Sequence, residues 1–206
     1  MSNALIFPEL DWKREGAIHR HAPAERAGAF SCLDGEQTER EFVQTIFTLA
    51  WATKARRMLE TGVAGGLTTR ALAQAARLNG GIVTAVEMES RFLREDFFEP
   101  EYRDVIRKVQ AESLDFLATT NDEFDFVFLD TDLYCRAREL ELLLERRLLT
   151  PGALVCVHDA SRFRDEYVHD GSREFWTAFE AMRPRIAAVI EIHLSRGLLI
   201  LQPLRP

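Results

Sequence analysis

Residues 59–73, LETGVAGGLTTRALA, run from a short apolar stretch through Gly62, Gly65 and Gly66 into a helical period. This is a strand, a glycine-rich turn and a helix in direct succession. The first amide groups of such a helix have no partner within it and point back at the turn, which makes the turn a receptor for anionic groups.

Outward from this stretch the same alternation repeats, the pattern of parallel strands joined by crossover helices. Upstream, GEQTEREFVQTIFTLAWATKARR places Phe42, Ile46, Leu49 and Ala50 at helical spacing ahead of the strand RMLETG. Downstream, the helix ends on glycine in TTRALAQAARLNGG and a β-branched strand follows, IVTAVEM. SRFLREDFFEPEYRDVI reads as helical with an interruption before Pro100, and a short strand follows at about 107–111. FDFVFLD is almost wholly apolar and ends in a carboxylate, as a central strand covered on both faces does. Then come the helix RARELELLLERRLL, a turn at Pro151–Gly152, the strand ALVCVHD and a helix around REFWTAFEAM. AAVIEIHL and GLLILQPL, joined by SRG, read as an antiparallel hairpin.

The chain has 206 residues, 47 % hydrophobic and 29 % charged, which suits one globular domain with a substantial core. Residues 36–206 read as the core of that domain and 1–35 as an N-terminal arm or lid. No stretch near the N-terminus is apolar enough for a signal peptide or membrane helix, so a cytoplasmic protein is expected. Cys32, Cys135 and Cys156 are far apart and form no CxxC pair, which suggests neither a disulfide framework nor a zinc site. A net charge of −7 disfavours nucleic acid and anionic membranes as partners. Nothing in the sequence decides for or against a homodimer.

Two ligand classes use a strand, glycine turn and helix: dinucleotides, through their pyrophosphate, and S-adenosylmethionine, through its amino-acid end. The dinucleotide fingerprint GxGxxG fails, because counting from Gly62 puts Ala64 and Leu67 where its second and third glycines belong. What is present is ExGxxxGxT, formed by Glu60, Gly62, Gly66 and Thr68. Glu87 ends the next strand, where a carboxylate can accept both hydroxyls of a ribose. Asp130 and Asp132 end FDFVFLDTD, and His158 and Asp159 end LVCVHD. These acids and the histidine stand at the carboxyl ends of central strands, where open α/β sheets bind their ligands.

ExGxxxGxT resembles motif I of the class I methyltransferases. With AVEM, AESLDFL, FDFVFLDTD, LLTPGALVCVHD and GLLILQ, residues 36–204 resemble the catechol O-methyltransferase-like branch of that class. The resemblance implies a Rossmann-like, doubly wound, seven-stranded α/β sheet of order 3-2-1-4-5-7-6, mostly parallel, with an antiparallel C-terminal strand and helices on both faces. It implies S-adenosylmethionine as cofactor, approached by the backbone at Gly62, Ala64 and Gly66. Thr68 would bind its carboxylate and Glu60 would face its ammonium. Glu87 would hold the ribose, while Met88, Glu112 and Ser113 would meet the adenine and Asp130 would close the site. Metal-dependent members hold a divalent ion between acids at the positions of Asp130 and Asp159 and a following asparagine, which is Ala160 here. Their general-base lysine corresponds to Leu133. A metal such as Mg²⁺ on Asp130 and Asp159 is thus left open.

Methyl transfer needs alignment of donor and acceptor and removal of a proton from the acceptor. His158 is the first candidate base, because imidazole titrates near neutral pH, with Asp130 and Asp132 beside it. His169 and Tyr134 rank lower, and His193 reads as structural. The acceptor is expected to enter between the N-terminal arm and the loop at residues 160–175, where Arg162, Arg164 and Arg173 stand. The expected activity is methylation of a small-molecule acceptor at a hydroxyl. The alternatives are a catalytically degenerate cofactor-binding module acting through protein partners and, less favoured, a nicotinamide-dependent oxidoreductase.

Overall fold

Alternate residues of each central strand face opposite layers of helices in the computed structural model, which describes residues 38–94, 98–161, 171–192 and 196–204. The arm at 1–35, Arg162, Arg164, His169 and His193 lie outside the described residues. The strands are β1 (Arg57–Thr61), β2 (Ile82–Glu87), β3 (Ile106–Gln110), β4 (Phe124–Leu129), β5 (Leu149–His158), β6 (Ile186–Ile192) and β7 (Leu198–Pro203). They form one sheet in the order β3-β2-β1-β4-β5-β7-β6. β1 to β5 pair in parallel, and β7 runs antiparallel to both β5 and β6. The order and the closing hairpin agree with the sequence reading.

Helices α1 (Arg40–Ala52) and α2 (Leu67–Asn79) cover one face. They pack Phe42, Ile46 and Leu72 with Met58, Val83, Phe126, Phe128, Cys156, Leu198 and Ile200. Helices α3 (Ser113–Thr119), α4 (Leu133–Glu145) and α5 (Gly171–Met182) belong to the other. There Leu117, Leu140, Leu143 and Phe179 meet Leu59, Val86, Val127, Leu129, Val155, Val157, Leu199 and Leu201. The period-two split of β4, β5 and β7 between the two lists is why these strands read as unbroken apolar runs. Cys156 is an inert core residue, its thiol pushed up to about 12 by burial.

Two local expectations are corrected. SRFLREDFFEPEYRDVI forms no long helix among its described residues, only the 3₁₀ turns Ser90–Leu93 and Pro100–Tyr102. Pro100 lacks an N–H and opens the second turn, while buried Phe98 and Tyr102 anchor the segment against Ala73, Ala85 and Ile106. β5 starts at Leu149, ahead of Pro151–Gly152, because the pairing slips from Phe124↔Leu149 to Phe126↔Leu154 and Gly152 absorbs the bulge at φ +85°. Among the described residues no helix is long and apolar enough to cross a membrane.

Candidate active site

β1 ends against β4. Gly62 N donates to Val86 O and Asp130 N to Thr61 O, so the glycine turn is pinned between β2 and β4. Gly62 has φ +82°, and a Cβ on it would run into the backbone carbonyl of Asp130. Glycine is required here on both counts. The turn leads into α2 through Gly66, also left-handed at φ 69°.

The turn borders a cleft of about 640 Å³ along the carboxyl ends of β1, β2 and β4. Of the expected cofactor residues, Gly62, Ala64, Glu87, Met88, Glu112, Ser113 and Asp130 line it, as does Asp132. Glu87 does more than wait for a ribose. Its Oε2 accepts from Val63 N (2.9 Å) and Ala64 N (3.2 Å), and its Oε1 from Glu89 N (2.9 Å). A carboxylate oxygen carries two lone pairs, so Oε1 still has room for a ligand hydroxyl. Met88 is 63 % exposed and offers an apolar face at the cleft edge.

Glu60, Gly66 and Thr68 stand behind the cleft wall. Thr68 is buried, and its hydroxyl donates to Thr38 Oγ1, which in turn donates to Asp130 Oδ2 (2.8 Å). Glu60 is buried and its Oε2 has no hydrogen-bond partner among the described residues. Burial, reinforced by the negative charges of Asp130 and Glu87, holds its carboxyl well above the usual range. A buried carboxyl under the turn with one oxygen unpartnered fits the cationic amine that the resemblance assigns to it.

At the end of β5 the geometry departs from the expected general base. His158 is fully buried and absent from the cleft wall. Its Nδ1 donates to Asp130 Oδ1 (2.8 Å) and its Nε2 to Glu39 Oε2 (2.6 Å). Burial alone would lower its pKa, but Asp130, Asp159 and Glu39 outweigh this and hold it at about 9. The ring is an imidazolium with both protons engaged, unable to take another from an acceptor.

Asp130 and Asp159 are close enough to each other and to His158 to share a cation, their ligand atoms within 4.8 Å of one another. The interval is already spanned by Arg136 of α4, with Nη2 3.1 Å from Asp130 Oδ1 and Nη1 3.0 Å from Asp159 Oδ2. Arg196 grips Asp159 as a fork, through Nε to Oδ1 and through Nη2 to Oδ2 at 2.8 Å. Its backbone N–H also donates to Glu39 Oε1 (3.1 Å).

Comparison with known proteins agrees with this architecture. The family model described as a methyltransferase domain matches residues 59–160, which run from β1 through the end of β5. Over those residues the chain is similar to a methyltransferase domain. It resembles the catechol O-methyltransferase-like branch of class I, as the motifs imply. An O-methyltransferase of Aspergillus hancockii, hkm8, is 25 % identical over 124 residues, 58 % of this chain and 48 % of its own length. The chain thus spans about half the length of the curated relative it matches. A Podospora anserina methyltransferase solved with S-adenosylhomocysteine superposes with TM-score 0.72 at 17 % identity, over 82 % of this chain and 81 % of that one. TomG of Streptomyces achromogenes, an O-methyltransferase of tomaymycin synthesis solved with S-adenosylmethionine, gives 0.70 at 20 % identity over 82 % of each chain.

The sequence reading missed Thr38, Glu39, Arg136 and Arg196. Glu39 sits in the charged run GEQTERE at the start of the first helical segment, yet it is fully buried. The available signal was electrostatic: acids ending two buried neighbouring strands need cations, and Arg136 is six residues beyond Asp130. For the open question of a metal, Arg136 occupies the span between the two carboxylates and Ala160 supplies no third side-chain oxygen.

Proposed function

We propose that this chain is an S-adenosylmethionine-dependent methyltransferase that methylates a hydroxyl of a small-molecule acceptor. The observation that carries the reading is the convergence of Gly62, Ala64, Glu87, Met88, Glu112, Ser113 and Asp130 on one cleft, at a turn where glycine is sterically required. When bound, the cofactor supplies a methyl group on a sulfonium and leaves as S-adenosylhomocysteine.

The residues divide the work by position. Glu87 tethers the turn amides and offers Oε1 to a ribose hydroxyl. Glu60 provides buried negative charge under the turn once it loses its proton. Asp130 is fixed by Thr38, His158 and Arg136 at the cleft floor and orients the acceptor. Asp132 caps α4 by accepting from Tyr134 N through Oδ1 and lies exposed on the cleft, so its Oδ2 receives the acceptor's proton as the hydroxyl oxygen attacks.

Calorimetric titration of S-adenosylhomocysteine into the purified chain tests the cofactor half, with Glu87→Ala as control. Micromolar binding that weakens in the variant supports the reading, and no binding by the parent chain overturns it. Methyl transfer to a panel of phenols, catechols and sugars tests the acceptor half. Binding without transfer to any acceptor favours the cofactor-binding module.

A further inference from the structure

Three cations and three carboxylates meet at the ends of β4 and β5 among the described residues. Asp130, Asp159 and Glu39 supply the negative charge, and Arg136, Arg196 and the doubly bonded His158 the positive. They come from five places along the chain: the lead-in to α1, the end of β4, α4, the end of β5 and the turn before β7. All but Asp130 and Arg196 have side chains at most 4 % exposed, and those two reach only 14 % and 11 %.

We propose that Arg136 and Arg196 form a built-in cationic cluster that takes the place of the divalent metal of the metal-dependent branch, so that this chain binds cofactor and transfers methyl without one. The inference rests on the methyltransferase reading above. A divalent ion needs several oxygen ligands at short range in near-octahedral geometry. To admit one here, Arg136 must leave the span between Asp130 and Asp159, and Arg196 must give up its fork on Asp159. Neither guanidinium can be neutralised by losing a proton, so an entering ion meets fixed positive charge. Planar guanidinium forks match carboxylates in two directions, which a spherical ion does not. The cluster therefore supplies two of the things a metal would, compensation of buried carboxylates and a rigid orientation of Asp130 at the cleft floor, and leaves the acceptor's proton to Asp132.

The test separates metal binding from cofactor binding. Mn²⁺ is titrated into the chelator-treated full chain and followed by the electron paramagnetic resonance signal of the free ion, with and without S-adenosylhomocysteine. The expected result is no site of micromolar affinity, and an S-adenosylhomocysteine Kd that changes by less than about twofold between chelator and millimolar Mg²⁺. One micromolar Mn²⁺ site in the parent chain that disappears in Asp159→Asn overturns the proposal. The double variant Arg136→Met/Arg196→Met, which removes both guanidinium groups from Asp159, is expected to tighten Mn²⁺ binding by at least ~tenfold. If that variant does not fold, the parent and Asp159→Asn titrations decide alone. Failure of S-adenosylhomocysteine to bind under every condition overturns the methyltransferase reading and leaves the Mn²⁺ titration to judge the cluster separately.

Discussion

Glu39 Oε2 lies 2.6 Å from His158 Nε2, although 119 residues separate them in the chain. The contact ties the residue just before α1 to the end of β5 through two wholly buried groups. It makes the imidazolium a structural cation. His158 is held at about 9, above its ordinary value of 6.5, so the native state binds the proton more tightly than the unfolded chain. The stability this contributes is fully present below pH 6.5 and is lost as pH rises through about 9. Denaturant unfolding at a series of pH values should show a fall of the order of 3 kcal/mol across that window. A flat profile between those limits would mean a neutral histidine.

Glu39→Gln removes one carboxylate from the cluster and sets an amide NH₂ against a donor, either the His158 ring or the Arg196 backbone N–H. Breaking a buried ion pair from one side leaves an uncompensated charge, at about 3–5 kcal/mol. The loss should be larger at pH 6 than above pH 9, where the parent's histidine has itself begun to lose its proton. Chemical denaturation at both values measures the difference.

Gly62→Ala tests the floor of the cleft. The new methyl meets the Asp130 carbonyl, and the residue must hold φ +82°. A left-handed non-glycine residue in a tight place costs about 1–3 kcal/mol, and relief by moving the turn would displace Val63 and Ala64 from Glu87. The expected outcome is a folded protein of reduced thermal stability that has lost S-adenosylhomocysteine binding. Unchanged binding by calorimetry would show that the turn does not form the cofactor site.

Element order, both faces of the sheet and the residues that line the cleft at the glycine turn were legible because each is written in local pattern. Phe124–Leu129 is apolar at every position but Asp125, and Gly62 stands where strand meets helix. The segment around Pro100 misled, because its apolar residues suit a helix but are used as separate anchors, Phe98 and Tyr102, on β2, β3 and α2. The cluster was hidden for a different reason. Glu39, Arg136 and Arg196 look like ordinary surface charges in sequence, and only the fold brings them to Asp159 and His158. The HD pair ending β5 was read as a base and a metal ligand, whereas both ring nitrogens of His158 face carboxylates and Asp159 is held by guanidinium groups.

Glu87 serves as tether and as expected ribose ligand, and Glu87→Gln separates those tasks from simple charge loss. An amide has one acceptor oxygen, so its NH₂ must face either the Val63 and Ala64 amides or Glu89 N, each a donor. The glutamine should therefore weaken S-adenosylhomocysteine at least tenfold, about 1.4 kcal/mol, and do as much harm as alanine. Near-parental affinity for the glutamine variant would leave Glu87 no role beyond filling space.

Glu60 should behave in the opposite sense. Its carboxyl is held well above the usual range by burial and by Asp130 and Glu87, so the folded chain binds its proton more tightly than the unfolded one. Stability is then highest when the group is neutral and declines as pH rises above the ordinary carboxylate range toward the raised folded value. Glu60→Gln mimics the neutral form and removes that decline, so at pH 8 the variant should be at least as stable as the parent, by about 1 kcal/mol. Its cofactor affinity should drop, because the amide cannot supply the charge that a protonated amine needs beneath the turn. Denaturant unfolding and calorimetry on the same preparation read the two effects together. A variant both less stable at pH 8 and unaltered in binding would assign Glu60 to packing instead.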